Sequence, residues 1–223
     1  MKHPHGTEAF DTLPHPKKER IYQAAVSEFA ERGFGKASMN RLVEAAGISK
    51  GSLFVYFKSK SGLFDAIIDL AVNRIKEHLR EVRQSTADDP FSLRISALLR
   101  SGFRFVDQYP KLAKIYFELL QSNDAPKSLQ KMVQTLNWQS TRFIASFIED
   151  GIKREELDSE IDVVRTAFLI NALFEKLLRS YYSEHLAPEA GLYAADAINI
   201  DNWVQSTVNF ATFGVSRFSK GEF

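Results

Sequence analysis

Between Ser38 and Lys60 the chain reads SMNRLVEAAGISKGSLFVYFKSK, and this stretch holds the groups best suited to meet a polyanion. Ser49 is followed by Lys50, Gly51 and Ser52. At the start of a helix these offer free backbone N–H groups, a cation and room for close approach to phosphate. Tyr56 and Lys60 follow within ten residues of that turn and can touch the same nucleic-acid strand. Other chemistry finds little support. His78 and His185 stand alone, no paired carboxylates or nucleophile–base sets occur, and GISKGS lacks the spacing and the preceding strand of a phosphate-binding P-loop. The reading is therefore not an enzyme, with neither a metal nor a cofactor expected.

The elements that must position these groups are short helices. Ser38 can cap a helix running through Ala46, with Leu42, Val43 and Ala46 facing inward. Gly47 can take the positive φ of a sharp turn. Ser49 caps the next helix, which carries Leu53, Tyr56 and Phe57 on one side, and Ser59 a fourth with Leu63, Ile67, Ala71, Ile75 and Leu79. Two short helices joined at Gly47–Ser49 make a helix-turn-helix, whose second helix can enter the DNA major groove. Phe54 suits either core or groove on this reading. Ahead of it, Ile21, Ala24, Ala25, Val26 and Phe29 form an apolar helical face that stops at Gly33. The expected organisation is a flexible arm over 1–16, a DNA-binding domain over 17–64 with a linking helix to about 82, and a helical body over 83–223.

Charge supports a polyanion partner. From Lys17 to Lys60 nine Lys/Arg face four Glu, a balance of +5; the net charge is +1, so the rest sums to −4. A basic module on a mildly acidic body is the footprint of a nucleic-acid binder. The absence of cysteine removes disulfides and thiolate sites and suits a reducing cytosol. No apolar run approaches the ~20 residues of a membrane span, and no secretory signal opens the chain, so a cytoplasmic protein without membrane contact is expected. Beyond the polar break QSTADDP (84–90), helices are expected near 91–108, 111–121, 126–153, 161–184 and 200–218. Between 186 and 199 a connection is expected. The fold class is all-α.

Phe29 to Lys60 resembles the N-terminal domain of the TetR family of regulators. The similarity lies in Phe29, Gly33, Phe34 and Ser38, in the block AAGISKGSLFVYFKSK, and in Leu63–Phe64; it extends over about Lys17–Leu70. The resemblance implies that Ser38 caps the first motif helix and touches phosphate. It places Lys50, Ser52, Phe54 and Val55 on the face that meets the groove, and gives Tyr56 and Lys60 phosphate contacts. Phe54 and Val55 stand where Tyr and His are common, which would shift base readout toward thymine methyls. Ser61–Gly62 replaces a more usual acidic pair.

The body carries the remaining expectations. Two reading heads about 34–36 Å apart would read a palindrome, so a homodimer is expected. Its interface would use Phe168, Leu169, Ala172, Leu173 and Lys176 on one helix and Trp203, Val204, Thr207, Phe210, Ala211 and Gly214 on another; internal core is the alternative. An aromatic-rich set (Phe103, Tyr109, Tyr116, Phe117, Leu120, Trp138, Phe143, Phe147, with Asn171) suits a pocket for a hydrophobic or aromatic effector, or equally a plain core. The resemblance implies a ligand-responsive repressor that leaves a double-stranded operator when a small molecule binds. The alternative is a DNA-binding regulator controlled by a protein partner, or an architectural protein.

Overall fold

The computed structural model describes residues 6–121 and 127–213, with the side chains of 121 and 127–133 left aside. Helices account for all its regular structure among the described residues: α1 (Glu8–Asp11), α2 (His15–Lys36), α3 (Met39–Ala46), α4 (Lys50–Phe57), α5 (Lys60–Ser85), α6 (Phe91–Gln108), α7 (Pro110–Gln121), α8 (Lys127–Lys153), α9 (Val163–Tyr182) and α10 (Ala197–Phe213), with a single 3-10 turn at Pro188–Ala190. No described helix is long and apolar enough to cross a membrane.

The chain divides into two compact units: Met1–Lys76 with Tyr109–Leu129, and Glu77–Gln108 with Gln130–Phe223. The expected organisation places a linking helix up to about residue 82 between the two domains, and this division differs from it in detail. The division falls inside α5, not at the polar break after it. In addition α7, expected in the body, packs on α2 within the first unit. The reason is apolar: Leu112, Ala113, Ile115, Phe117 and Leu119 are all buried. Lys111 fixes the outer edge by donating to Ser27 Oγ at 2.9 Å, with Glu31 at 3.7 Å.

The first unit is ordered by its caps. Ser38 Oγ accepts from the Arg41 N–H, Ser49 Oγ from the Ser52 N–H at 3.0 Å, and Ser59 Oγ from the Gly62 N–H at 3.0 Å. These satisfy N–H groups that a helix start leaves without partners. Gly47 closes α3 at φ 64°, where its N–H and that of Ile48 return to the Glu44 and Val43 carbonyls. Gly62 has a different reason to be glycine: a Cβ there would stand 2.5 Å from the Phe57 carbonyl oxygen. The departure from an acidic pair at 61–62 thus lets α5 begin tightly against the end of α4.

The expected flexible arm is also corrected. From Thr7 onward the segment is docked, because it completes the C-terminal end of α4. The Thr7 N–H donates to the Tyr56 carbonyl and its hydroxyl to the Val55 carbonyl, both at 2.9 Å. Phe10, 1% exposed, packs at a tilt on Phe57 (4.6 Å between centroids) and Tyr56 (6.0 Å) and edge-on to Tyr22 (5.4 Å). Lys18 Nζ donates to the Asp11 carbonyl at 2.7 Å.

In the second unit α6 packs against α9 and α10. The Tyr181 hydroxyl donates to Asp107 Oδ1 at 2.6 Å while its ring meets Phe103 edge-on at 5.1 Å. Burial and then the Asp107 carboxylate push this phenol up to about 12. Glu156 accepts from the Phe91 N–H, and Arg154 donates to the Ala87 and Asp89 carbonyls, tying the polar break to the end of α8. Asp162 caps α9 through the Arg165 N–H at 3.0 Å.

Candidate nucleic-acid interface

Residues Met39–Phe57 fold as two eight-residue helices around the Gly47 turn. Leu53 and Phe57 are buried at 0% and 2%, so the opposite side of α4 is free to face a ligand. Lys50 and Gly51 are exposed at its first turn, and Ser52 is half-buried. The Ser52 hydroxyl lies 2.9 Å from Ser49 Oγ, a pairing that holds both oxygens at the helix start. Phe54 (38% exposed) and Val55 (58%) carry apolar surface outward on the same helix. Phe54 is therefore not core. Two exposed apolar side chains beside a cationic helix start suit contact with base edges, above all thymine methyls.

Ser38 is half-buried at the head of α3, and its N–H donates to Glu28 Oε1 at 2.7 Å. Glu28 also takes Arg41 through Nη2 at 2.5 Å and Nε at 3.2 Å. Arg41 first, and the Ser38 N–H with it, hold the Glu28 carboxyl below the usual carboxylate range despite its burial. One acidic side chain on α2 thus pins the start of the motif. Glu28 and Arg41 both line an open groove of about 780 Å³ along α2 and α3.

Two expected phosphate ligands are already engaged within the unit. Tyr56 is 8% exposed, its ring against Phe10 and with Lys17 Nζ 6.0 Å from its centre. Its ring is a wall of the core. Lys60 Nζ donates to the Gly35 carbonyl at 3.1 Å and lies 5.0 Å from the centre of the Phe34 ring. Since an ammonium has three donors, this bond leaves two for phosphate. Lys50 is the exposed cation at the head of α4. The role that sequence reading missed is that of Thr7 and Phe10, which brace α4 from behind. Thr7 before an apolar Phe10–Leu13 pair was the available signal.

The body residues fall in both units. Tyr109, Tyr116, Phe117 and Leu120 belong to the first, where Arg74 lies 5.5 Å from the Tyr109 ring centre. Phe103, Phe143, Phe147, Trp138 and Asn171 belong to the second. Phe103 and Phe147 are buried at 2% and 0%, Phe143 and Asn171 are half-buried, and Phe143 meets Phe147 edge-on at 5.0 Å. Trp138 is 64% exposed, which corrects its place in an internal pocket: its position on α8 turns the indole to solvent.

On α9, Phe168 (63% exposed), Leu169 (60%) and Ala172 share an outward row with Val164 (65%). Leu173 is half-buried, and Lys176 Nζ donates to the Leu186 carbonyl at 3.2 Å. On α10, Phe210 is 47% exposed while Trp203 and Ala211 are half-buried. Val204 (1%) and Thr207 (8%) are turned inward, the Thr207 hydroxyl donating to the Trp203 carbonyl, so these two are core and not interface. Gly214 lies outside the described residues.

Residues 21–67 match the family model for bacterial regulatory proteins of the tetR family. The transcriptional regulator UidR of Escherichia coli K12 is 28% identical over 180 residues, covering 80% of this chain and 88% of its own length. A TetR family transcriptional regulator from Chloroflexus aurantiacus superposes with a TM-score of 0.70 at 24% identity, over 94% of this chain and 97% of its own. FadR of Bacillus subtilis, solved in complex with stearoyl-CoA, superposes with a TM-score of 0.71 at 15% identity, over 89% and 99%. Helix order, capped turn and motif agree with this likeness: residues 21–67 match the DNA-binding domain of the tetR family, and over most of its length the chain is similar to DNA-binding transcriptional regulators of that family.

Proposed function

We propose that the chain acts as a homodimeric repressor whose paired α4 helices hold a palindromic operator and leave it when a small hydrophobic molecule enters the second unit. The observation that carries the reading is the row Val164, Phe168 and Leu169, three large apolar side chains at least 60% exposed on one face of α9. Contiguous apolar surface of this kind marks a partner site. A single α4 offers too few base contacts for an operator, whereas two copies one DNA turn apart supply a palindrome. In this assignment the first unit reads DNA through Ser38, Lys50, Gly51, Ser52, Phe54, Val55 and Lys60. The second unit dimerises through the α9 row with Phe210.

Support for an apolar effector comes from the buried rings Phe103 and Phe147 and the half-buried Phe143, and from FadR, a neighbour in fold that holds an acyl thioester. The residues of α5 belong to both units, so repacking at its C-terminal half is felt along the helix that begins beside α4. A ligand moves such an equilibrium only by its differential affinity for the two states. The test is selection from a random duplex pool, followed by anisotropy titration of the selected site with stearoyl-CoA and simpler lipids. A two-fold symmetric site released by at least one compound is the expected result. A single half-site bound by monomer would refute the dimer. An operator affinity indifferent to every compound would refute the effector response.

A further inference from the structure

The second unit contains a guanidinium that its own surroundings do not satisfy. Arg94, in the first turn of α6, is 3% exposed, and its Cζ lies 4.3 Å from the centre of the Phe147 ring. Only Nη2 has a partner, donating to Asp150 Oδ2 at 3.2 Å. Nε and Nη1 are buried without any acceptor among the described residues. A buried donor without a partner forfeits its hydration and gains nothing in return, and on a charged group the loss is greater.

The local charge is also unbalanced. Asp150 is shared with Lys153 at 4.0 Å. A second guanidinium, that of Arg83, lies 5.6 Å from the same Phe147 ring centre and 5.0 Å from that of Phe143. Two guanidiniums thus flank the Phe147 ring, and among the described residues only that of Arg94 is paired with a carboxylate, Asp150, whereas Arg83 donates to Ser146 Oγ. Two turns further along the same face of α6, Ser101 Oγ is buried and also lacks a partner. Leu98 and Phe105, on that face, are apolar and buried. A trapped water would accept the free N–H bonds but leave the surplus charge in place. An anion does both.

We propose that Arg94 anchors the acidic head of an amphipathic effector, a carboxylate whose apolar part lies against Phe147 and along the α6 face toward Ser101. This rests on the effector reading above and narrows it to a chemical class. The free Nε–H and Nη1–H donate to the head group, and Phe147 supports the cation from its ring face.

The test titrates the full-length protein with straight-chain carboxylates from octanoate to palmitate, with alcohols of matching length, and with inorganic phosphate. Binding is followed by calorimetry and thermal shift. The expected result is at least one carboxylate bound tenfold or more tighter than its alcohol, with no shift from phosphate at the same concentration. In Arg94→Met the preference should vanish while the ligand-free melting temperature stays level or rises, because an apolar side chain replaces an unsatisfied charge. A purely structural arginine would instead lower it. The anchor is refuted if alcohols bind as well as acids, if phosphate alone suffices, if Arg94→Met keeps the preference, or if no carboxylate binds. Operator release is scored separately. Arg94-dependent binding that leaves operator affinity unchanged sinks the release reading and keeps the anchor; release by an uncharged compound with the acids silent does the reverse.

Discussion

Replacing Phe10 with alanine should disturb the recognition helix without altering any side chain that faces DNA. The Phe10 ring is 1% exposed and fills the space among Tyr22, Tyr56 and Phe57. Truncating such a ring inside a core that cannot collapse costs about 3–5 kcal/mol. Here the chain has another route, since the short segment before α2 can leave the surface on which it docks. The two Thr7 hydrogen bonds return about 0.5–1.5 kcal/mol each. Without the ring the segment keeps only weak bonds of this kind to set against the entropy of ordering it, so it should detach instead of enclosing a cavity.

Hydrogen exchange read residue by residue gives the answer. The Thr7 amide, bonded to the Tyr56 carbonyl, should exchange at nearly the rate of an unstructured peptide in the variant, while amides of α8 and α9 keep their protection. The urea midpoint should fall by an amount equivalent to about 3 kcal/mol. Operator affinity should drop without a change in its salt slope, because no phosphate contact is removed. If Thr7 stays protected and the loss is under about 1 kcal/mol, Phe10 is not what holds the segment to α4.

Other changes probe the remaining parts. Lys50→Ala should weaken binding to operator and random duplex alike and flatten the salt dependence by about one unit, with the melting temperature unchanged; an unaltered slope would exclude a phosphate contact. Phe168→Glu should yield a monomer in sedimentation analysis and abolish binding to a two-fold site, and a variant that stays dimeric would place the interface elsewhere. The Glu28 carboxyl is lowered in the folded state from a reference of 4.5. Its stabilising contribution should be complete above that value and fade as pH falls through the lower, folded one. Glu28→Gln should therefore be less stable at neutral pH, with the gap closing in acid unfolding curves as pH falls below the reference value of 4.5; a gap independent of pH would mean the charge is not involved.

Local signals in the sequence were strong where one residue decides the backbone. Ser38, Ser49 and Ser59 cap the helices expected of them, and Gly47 takes its positive φ. Helix bounds followed from apolar periodicity, and Pro110 and Pro188 mark real starts. What escaped depends on partners distant along the chain. The burial of Val204 and the exposure of Trp138 turn on which side of a helix meets its neighbours, and an apolar residue reads alike in either case. Tyr56 matches a phosphate ligand by position, yet its burial arises from Phe10, 46 residues earlier. Arg94 gave no sign at all, since an arginine among apolar residues looks like an ordinary exposed charge until its surroundings are known.

The packing of α7 on α2 also bears on how the protein is made. The unit that carries α4 is not complete when Phe57 leaves the ribosome; the helix that covers α2 ends at Gln121. Those 64 intervening residues take roughly 3–13 s to synthesise at about 5–20 residues per second. For that interval the α2 surface that will meet Leu112, Ile115 and Phe117 is open to other chains. A nascent regulator thus has its DNA-reading helix before it has the support for it, and a chain stopped at the polar break near residue 85 would carry the motif on an unfinished core.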